Sequence, residues 1–494
     1  MAGLTGAELI WLSMGLPAAG ALLIAITGRV PNLREGVTLV TALLTFSVVV
    51  LTLLPQVLAG ARPETAPIPV FGPVTLHFAV EPLGMLFATV ASSLWIVNSV
   101  YSIGYMRGNH EPRQTPFYVC FAIAISSALG IAFAGNLFTL FLFYEVLTIS
   151  TYPLVTHKAN ADAKASGRVY LLLLLATSMG FLLPAIIWTQ VAAGTVTFAQ
   201  GGILEAAGLG TGALGVLLAL YIFGIGKSAV MPVHFWLPAA MVAPTPVSAL
   251  LHAVAVVKAG VFTVIKVITY VFGVSYLGES GAGDWLSYVA AFTIVCASFI
   301  ALFQNNLKKR LAFSTVSQLS YVVLAAATLT PLAIIGAAMH IAAHAVSKIT
   351  LFFAAGSIYT AAHLTEISQL NGIGRRMPWT MLAFTIGSFS MIGLPPTAGF
   401  VSKWMMLSGS WDGGDWLSMV VMILATVLNA MYFLPIVYRA FWLAPPPDNR
   451  EFPAHGEGPI PVVMALSVTA LLTVGMFLWP QIPYDLATAI MEAP

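Results

Sequence analysis

Charge is what this sequence has least of. Only 8% of its 494 residues are Asp, Glu, Lys or Arg, against about 25% in an ordinary soluble domain, while 59% are hydrophobic. A soluble core cannot absorb that much apolar surface, so lipid is the expected solvent for most of the chain. Cysteine is almost missing. Cys120 and Cys296 both fall inside apolar stretches and read as small buried hydrophobes, which leaves no disulfide framework or metal cluster to build from them. A net charge of +2 is too small for a nucleic-acid surface. Ahead of the first apolar run stands Glu8 but no Lys or Arg, so that run is expected to stay in the membrane rather than leave as a secretory leader. The Gly-rich segment GILEAAGLGTGALG lacks a lysine and a flanking strand, and is a poor phosphate loop.

What remains are apolar stretches of about 20 residues, the length that crosses a hydrocarbon core as helix. Fourteen crossings are predicted, beginning near residues 9, 37, 80, 116, 137, 169, 212, 244, 287, 311, 331, 378, 417 and 460. A crossing strand would be half as long and would alternate in polarity, so the expected fold is an all-α polytopic membrane protein. The basic residues support the count, because Lys and Arg collect on cytoplasmic loops. Pairs or triplets follow crossings one, three, five, nine, eleven and thirteen, ending with Arg439 and Arg450; they hold 14 of the 20 basic residues, and the opposite loops hold only Arg62. Both termini are therefore expected outside the cytoplasm. Trp188, Trp236, Trp285, Trp416 and Trp442 fall near crossing ends, where an interfacial belt is expected. His77, His110, His157, His363 and His455 read as loop or interface residues.

Five lysines are left within or beside apolar segments: Lys227, Lys258, Lys266, Lys348 and Lys403. Lys266 lies near the end of crossing eight and is expected to snorkel to the interface. The other four have apolar or helix-breaking sequence on both sides. Glu145 is the one acid near the middle of a crossing, with Thr148 and Tyr152 on its face. An unpaired charge at that depth costs several kcal/mol, so these groups must be paired, hydrated or partly neutral.

In GIGKSAVMPVHFWLP, Pro232 should kink or break crossing seven close to Lys227, with His234 toward the far edge of a hydrated cavity. In IGLPPTAGFVSKW, Pro395 and Pro396 interrupt crossing twelve ahead of Lys403. Broken helices at matching places point to a repeat-built transporter with its sites at mid-depth. In MHIAAHAVSKITLFF, His340, His344 and Lys348 stand at i, i+4 and i+8, a polar stripe about 12 Å long. Histidine suits a proton relay because its two nitrogens accept and donate near neutral pH. Zinc is the rival use, but the HExxH pattern needs Glu where Ile341 stands, so no metal site is expected. His252 and Lys258 are six residues apart and would serve one path only if crossing eight is distorted or each faces a different neighbour. No cofactor motif is evident.

The segments FYEVLTIS, GIGKSAVMPVHFWLP, PTPVSALLHAVAVVKAG, NNLKKRLAFSTVSQLSY, HIAAHAVSKITLFFAAG and GLPPTAGFVSKW occur in order over residues 115–410. Together they resemble the D-type subunit of multisubunit Mrp cation/proton antiporters and the related antiporter-like subunits of respiratory NADH:quinone oxidoreductase. The resemblance implies three leading helices (1–114), two inverted five-helix repeats (115–270 and 271–443) with helices seven and twelve broken, and a last helix (444–494). It implies a proton relay of Glu145, Lys227, Lys258, His340, His344, Lys348 and Lys403; His252 and His234 are further candidates from their sequence positions alone. It also implies a bacterial or archaeal plasma membrane, partner membrane subunits, and protons with Na⁺ or K⁺ as cargo. Family members commonly carry an acid in the WLPDA motif; here Ala239 stands there.

Overall fold

The computed structural model describes residues 3–445 and 456–492; Arg450 and His455 lie outside the described residues. Among these, twelve helices are long and apolar enough to cross a membrane. They are α1 (Gly6–Ile26), α2 (Pro31–Leu58), α3 (Pro82–Gly108), α4 (Gln114–Ala132), α5 (Leu137–Val155), α6 (Ala161–Ala193), α8 (Thr245–Phe272), α9 (Asp284–Phe303), α10 (Leu307–Ala327), α11 (Pro331–Ala362), α14 (Trp416–Trp442) and α15 (Ile460–Leu478). Between them lie α7 (Thr211–Gly224), α12 (Pro378–Ile392) and α13 (Ala398–Asp412). At 14 or 15 residues each these are too short for a bilayer core of about 30 Å at 1.5 Å per residue. The fourteen expected crossings thus map onto twelve continuous helices and two interrupted ones.

Local chemistry sets the helix starts. Thr5 closes a capping box with Glu8 ahead of α1, and the Asn136, Asn306 and Asp415 side chains accept from backbone N–H groups of α5, α10 and α14. Prolines in the first turn open α2, α3, α11 and α12, where the missing N–H costs nothing. The one described sheet is a hairpin of β1 (Ile68–Phe71) and β2 (Val74–Leu76), with Ile68 opposite Leu76, at the end away from the basic loops.

Burial separates centre from rim. The apolar window of α8 is wholly buried and those of α10 and α11 nearly so, whereas only 33% of the windows of α6 and α15 is covered. Rim helices expose Val191, Leu471 and Trp379, as lipid-facing surfaces do. The three central helices are also the ones that carry Lys258, Gln318, His340, His344 and Lys348, so the polar groups sit where lipid cannot reach.

Candidate functional site: a buried polar axis between two helix breaks

Helix α7 stops at Gly224. Ile225 leaves the helical region (ψ 58°), Gly226–Ser228 makes one tight turn, and Ala229 is left-handed (φ 56°). The break therefore falls on Lys227 itself, close to the lysine as expected, and the helix has already ended before Pro232 is reached. The freed Gly226 carbonyl accepts from the indole Nε1 of Trp236 at 3.0 Å. Trp236 is wholly buried; it seals the break instead of joining the interfacial belt. The fully buried Lys227 amine donates to the Tyr144 carbonyl at 2.8 Å and to Thr148 Oγ1 at 2.7 Å, and stands 3.1 Å over the Tyr144 ring. The Lys227 backbone N–H donates to the Tyr144 hydroxyl at 3.1 Å. All of these partners are on α5, the helix of Glu145. Glu145 is 7% exposed, and among the described residues neither carboxylate oxygen has a hydrogen-bond partner. No ion pair within 4.0 Å joins it to Lys227; the amine is seated beside the acid, one residue before it and three after it along the same helix.

Helix α8 presses on this break through Gly260. A Cβ there would lie 2.3 Å from the Lys227 carbonyl carbon and from the Ser228 nitrogen, closer than any side chain tolerates. Two residues earlier, Lys258 sends its amine to His344 Nδ1 of α11 at 2.5 Å. The His252 ring instead meets Thr315 Oγ1 of α10 at 3.1 Å. The two can diverge because α8 widens into π-type turns over Leu250–Val254 and leaves helical geometry at Ala255 (φ −121°, ψ −65°). This is the distortion that the six-residue spacing required.

Along α11 the His344 and His340 rings are 5.9 Å apart between centroids. His340 Nε2 meets Gln318 Oε1 at 3.1 Å and its Nδ1 meets Ser402 Oγ at 2.9 Å. The Gln318 amide donates from Nε2 to the Met391 carbonyl at 3.1 Å, which leaves its Oε1, an acceptor only, facing the imidazole. Neutral His340 must then carry its proton on Nε2 and accept from Ser402 at Nδ1. A second proton on His340 would turn the Ser402 hydroxyl toward its other acceptor, the Gly399 carbonyl at 3.3 Å.

The second break follows from two prolines. A helical carbonyl is satisfied by the N–H four residues on, and Pro395 and Pro396 have none, so the carbonyls of Met391 and Ile392 are orphaned. Lys403, in the second half of the interrupted helix, reaches back to these two at 2.6 and 3.4 Å. A cation at a helix C-terminus also meets the negative end of the helix dipole. The Met391 carbonyl is a junction, since Asn429 Nδ2 donates to it too at 3.3 Å. Asn429 accepts from the Tyr432 hydroxyl, which in turn lies 3.2 Å from Ser314 Oγ, the acceptor of the Lys348 amine at 2.9 Å. One hydrogen-bonded network therefore holds His340, Lys348 and Lys403.

Lys258 and His344 form a second group, and Lys227 with Thr148 and Tyr144 a third. His252 and His234 stand outside all three: the His234 ring packs on Phe235, and its Nδ1 has no partner among the described residues. Gln318, Ser314, Ser402, Asn429, Tyr432 and the Met391 carbonyl were not expected from the sequence. The carbonyl alone had a signal there, the Pro-Pro pair four residues on. Lys266 departs from expectation. It is 1% exposed and does not snorkel; its amine donates to the Ala134 carbonyl at 2.8 Å and pairs with Glu81 at 2.5 Å.

Comparison with known proteins agrees with this architecture. Residues 134–429 match the family model described as NADH:quinone oxidoreductase/Mrp antiporter, TM. NADH-quinone oxidoreductase subunit N of Desulforudis audaxviator is 30% identical over 79% of this chain and 76% of its own length. One component of a probable K⁺/H⁺ antiporter of Rhizobium meliloti is 30% identical over 84% of this chain, which spans 42% of that protein. A chain in the structure of the Mrp complex from Dietzia superposes with a TM-score of 0.85 at 21% identity, covering 98% of this chain and 97% of that one. The last likeness establishes the fold.

Proposed function

This chain belongs to the NADH:quinone oxidoreductase/Mrp antiporter transmembrane family, and from that premise we propose that it is the proton-translocating subunit of a monovalent cation/proton antiporter complex. The observation that carries the reading is the burial of Glu145, Lys227, Lys258, His344, His340 and Lys403 between the two breaks, in three hydrogen-bonded groups that we read as one axis. Four lysines share this interior with one mid-depth carboxylate. Burying every amine as an ammonium ion would leave uncompensated charges at several kcal/mol each, so the axis holds fewer protons than it has sites. Vacant sites are what a relay needs. In this reading each proton moves between neighbouring titratable groups: Lys227 to Lys258 beside the Gly260 contact, Lys258 to His344 Nδ1, His344 to His340, and His340 to Lys403, with Gln318 and the Met391 carbonyl orienting the last two groups and carrying no proton themselves. Where no direct hydrogen bond joins two of these groups, the transfer requires bridging water.

In this reading residues 115–270 and 271–443 are the two inverted repeats, each supplying one break, and partner membrane subunits supply the cation route. The basic loops are taken as cytoplasmic, which puts both termini outside in a prokaryotic plasma membrane. The size and order of motifs fit the D type. Another reading, proton pumping driven by redox chemistry in partner subunits, is favoured by the match to subunit N over three quarters of both chains.

Proton flux in vesicles holding the intact native complex separates the two. Flux that starts on adding Na⁺ or K⁺ supports antiport, and flux that needs turnover of an electron donor supports the second reading. In either case Glu145→Gln and Lys227→Ala are expected to lower flux on the order of 100-fold with the complex still assembled. Unchanged flux in both variants would remove the axis from the mechanism.

A further inference from the structure

Lys266 and Glu81 take no part in the axis described above, yet they form an ion pair between α8, the helix that carries Lys258, and the residue just ahead of α3. Their side chains are 1% and 15% exposed. Such a pair is weak evidence for stability, because stripping water from two ions offsets most of their attraction. Its place is more telling. The pair borders a cavity of about 340 Å³ at the end away from the basic loops, lined also by Arg62, Glu64, His77 and Tyr270. Glu64 is 68% exposed and lies 3.6 Å from His77, so titratable groups lead from bulk solvent to the buried carboxylate. On the inner side, Lys258, Phe262 and Lys266 stand at i, i+4 and i+8 on α8, about 6 Å apart along the axis. Phe262 and its neighbour Phe87 are fully buried with ring centroids 5.2 Å apart, and the Lys266 amine is 5.4 Å from the Phe262 ring. An apolar plug thus separates two lysines on one helix face, the outer of which meets a cavity.

We propose that Lys266 and Glu81 are the outer proton gate of this protein, with Phe262 as the dry step between the gate and Lys258. The inference rests on reading the axis as a proton path. In the release direction, the Lys266 ammonium breaks an N–H bond as Glu81 Oε1 forms an O–H bond. Glu81 then gives that proton to solvent in the cavity, leaving a neutral amine beside a carboxylate. When Phe262 swings aside and admits water, the Lys258 ammonium protonates Lys266 and the ion pair is restored. Uptake runs the same steps backwards.

The test uses vesicles of the intact complex with five variants. Lys266→Gln is expected to lower flux at least tenfold at normal complex abundance. Lys266→Arg keeps the charge and the pair but cannot release its proton; it is expected to assemble and to be inactive, which keeps the test open if the Gln variant fails to fold. Phe262→Ser is expected to leak protons without added cation, and Lys266→Gln in the same chain to stop the leak. An active Lys266→Arg complex, or a Phe262→Ser complex with no leak, overturns the gate. If Lys227→Ala abolishes flux while Lys266→Arg leaves it intact, the gate fails and the axis stands; if neither changes flux, both fail.

Discussion

At the first break the buried amine rests on a neighbouring helix, whereas at the second it rests on its own. Lys227 is held by the Tyr144 carbonyl and Thr148 hydroxyl of α5, the helix that carries Glu145. Lys403 is held by the Met391 and Ile392 carbonyls across its own break, with no carboxylate in its network among the described residues. The Tyr321 ring lies 4.5 Å from its amine. A sliding or tilting of α5 would therefore change the field on Lys227 and leave Lys403 alone. The charge of Lys403 answers instead to the backbone of α12 and to the proton on His340, through Gln318 and the shared Met391 carbonyl. Two breaks that look alike in sequence give one amine seated beside an acid of another helix and one held by the carbonyl dipoles of its own.

That contrast is sharpest in the variants. Removal of either member of the first site, by Glu145→Gln or Lys227→Ala, is expected to give the largest flux loss. Lys403 should behave differently, because its loss also orphans backbone carbonyls. Lys403→Ala is expected to cut flux and to lower stability by about 1–3 kcal/mol, whereas Lys403→Arg restores the donors and the stability without restoring flux. A thermal melt of the purified complex beside the flux assay checks both; Lys403→Ala with wild-type stability would break the comparison.

A smaller effect is expected at the basic end, where the helix of Glu145 runs out. Burial, aided by the Arg113 charge, pushes the His157 imidazole down to about 4. The unfolded chain takes up a proton near pH 6.5 that the folded site refuses, so stability from this group is full above that pH and is lost as pH falls toward 4. Glu111, 3.7 Å away, has its carboxyl pushed up by burial and slopes the opposite way. The difference between wild type and His157→Gln isolates the histidine. The variant is expected to show a shallower fall in melting temperature between pH 6.5 and 4, and equal slopes would remove His157 as the cause.

Much of this was legible in the sequence because lipid makes polar residues conspicuous. Twelve continuous crossings, an interruption close to Lys227, the Pro395–Pro396 break and the spacing of His340, His344 and Lys348 were readable from hydropathy, helix-breaking residues and helical spacing. Contacts between distant segments did not. Nothing in LLHAVAVVKAG says that Lys258 meets His344, since that depends on how far α8 leans across α7, a distance set by Gly260. Lys266 was misjudged for a related reason: nearness to a helix end favours snorkelling only when the end faces lipid, and the C-terminal part of α8 is enclosed by α3, by the Ala134 turn and by Phe198. Gln318 and Ser402 are ordinary polar residues whose role depends on the tautomer of a histidine on another helix.

The middle of the axis offers the most direct test, because His344 is the group through which Lys258 meets α11. In vesicles of the intact complex, His344→Ala is expected to reduce proton flux to the level of Lys227→Ala, and the double variant to be no worse than either alone. Independent, additive losses, or normal flux through a fully assembled His344→Ala complex, would contradict a single path running from the first break to the second.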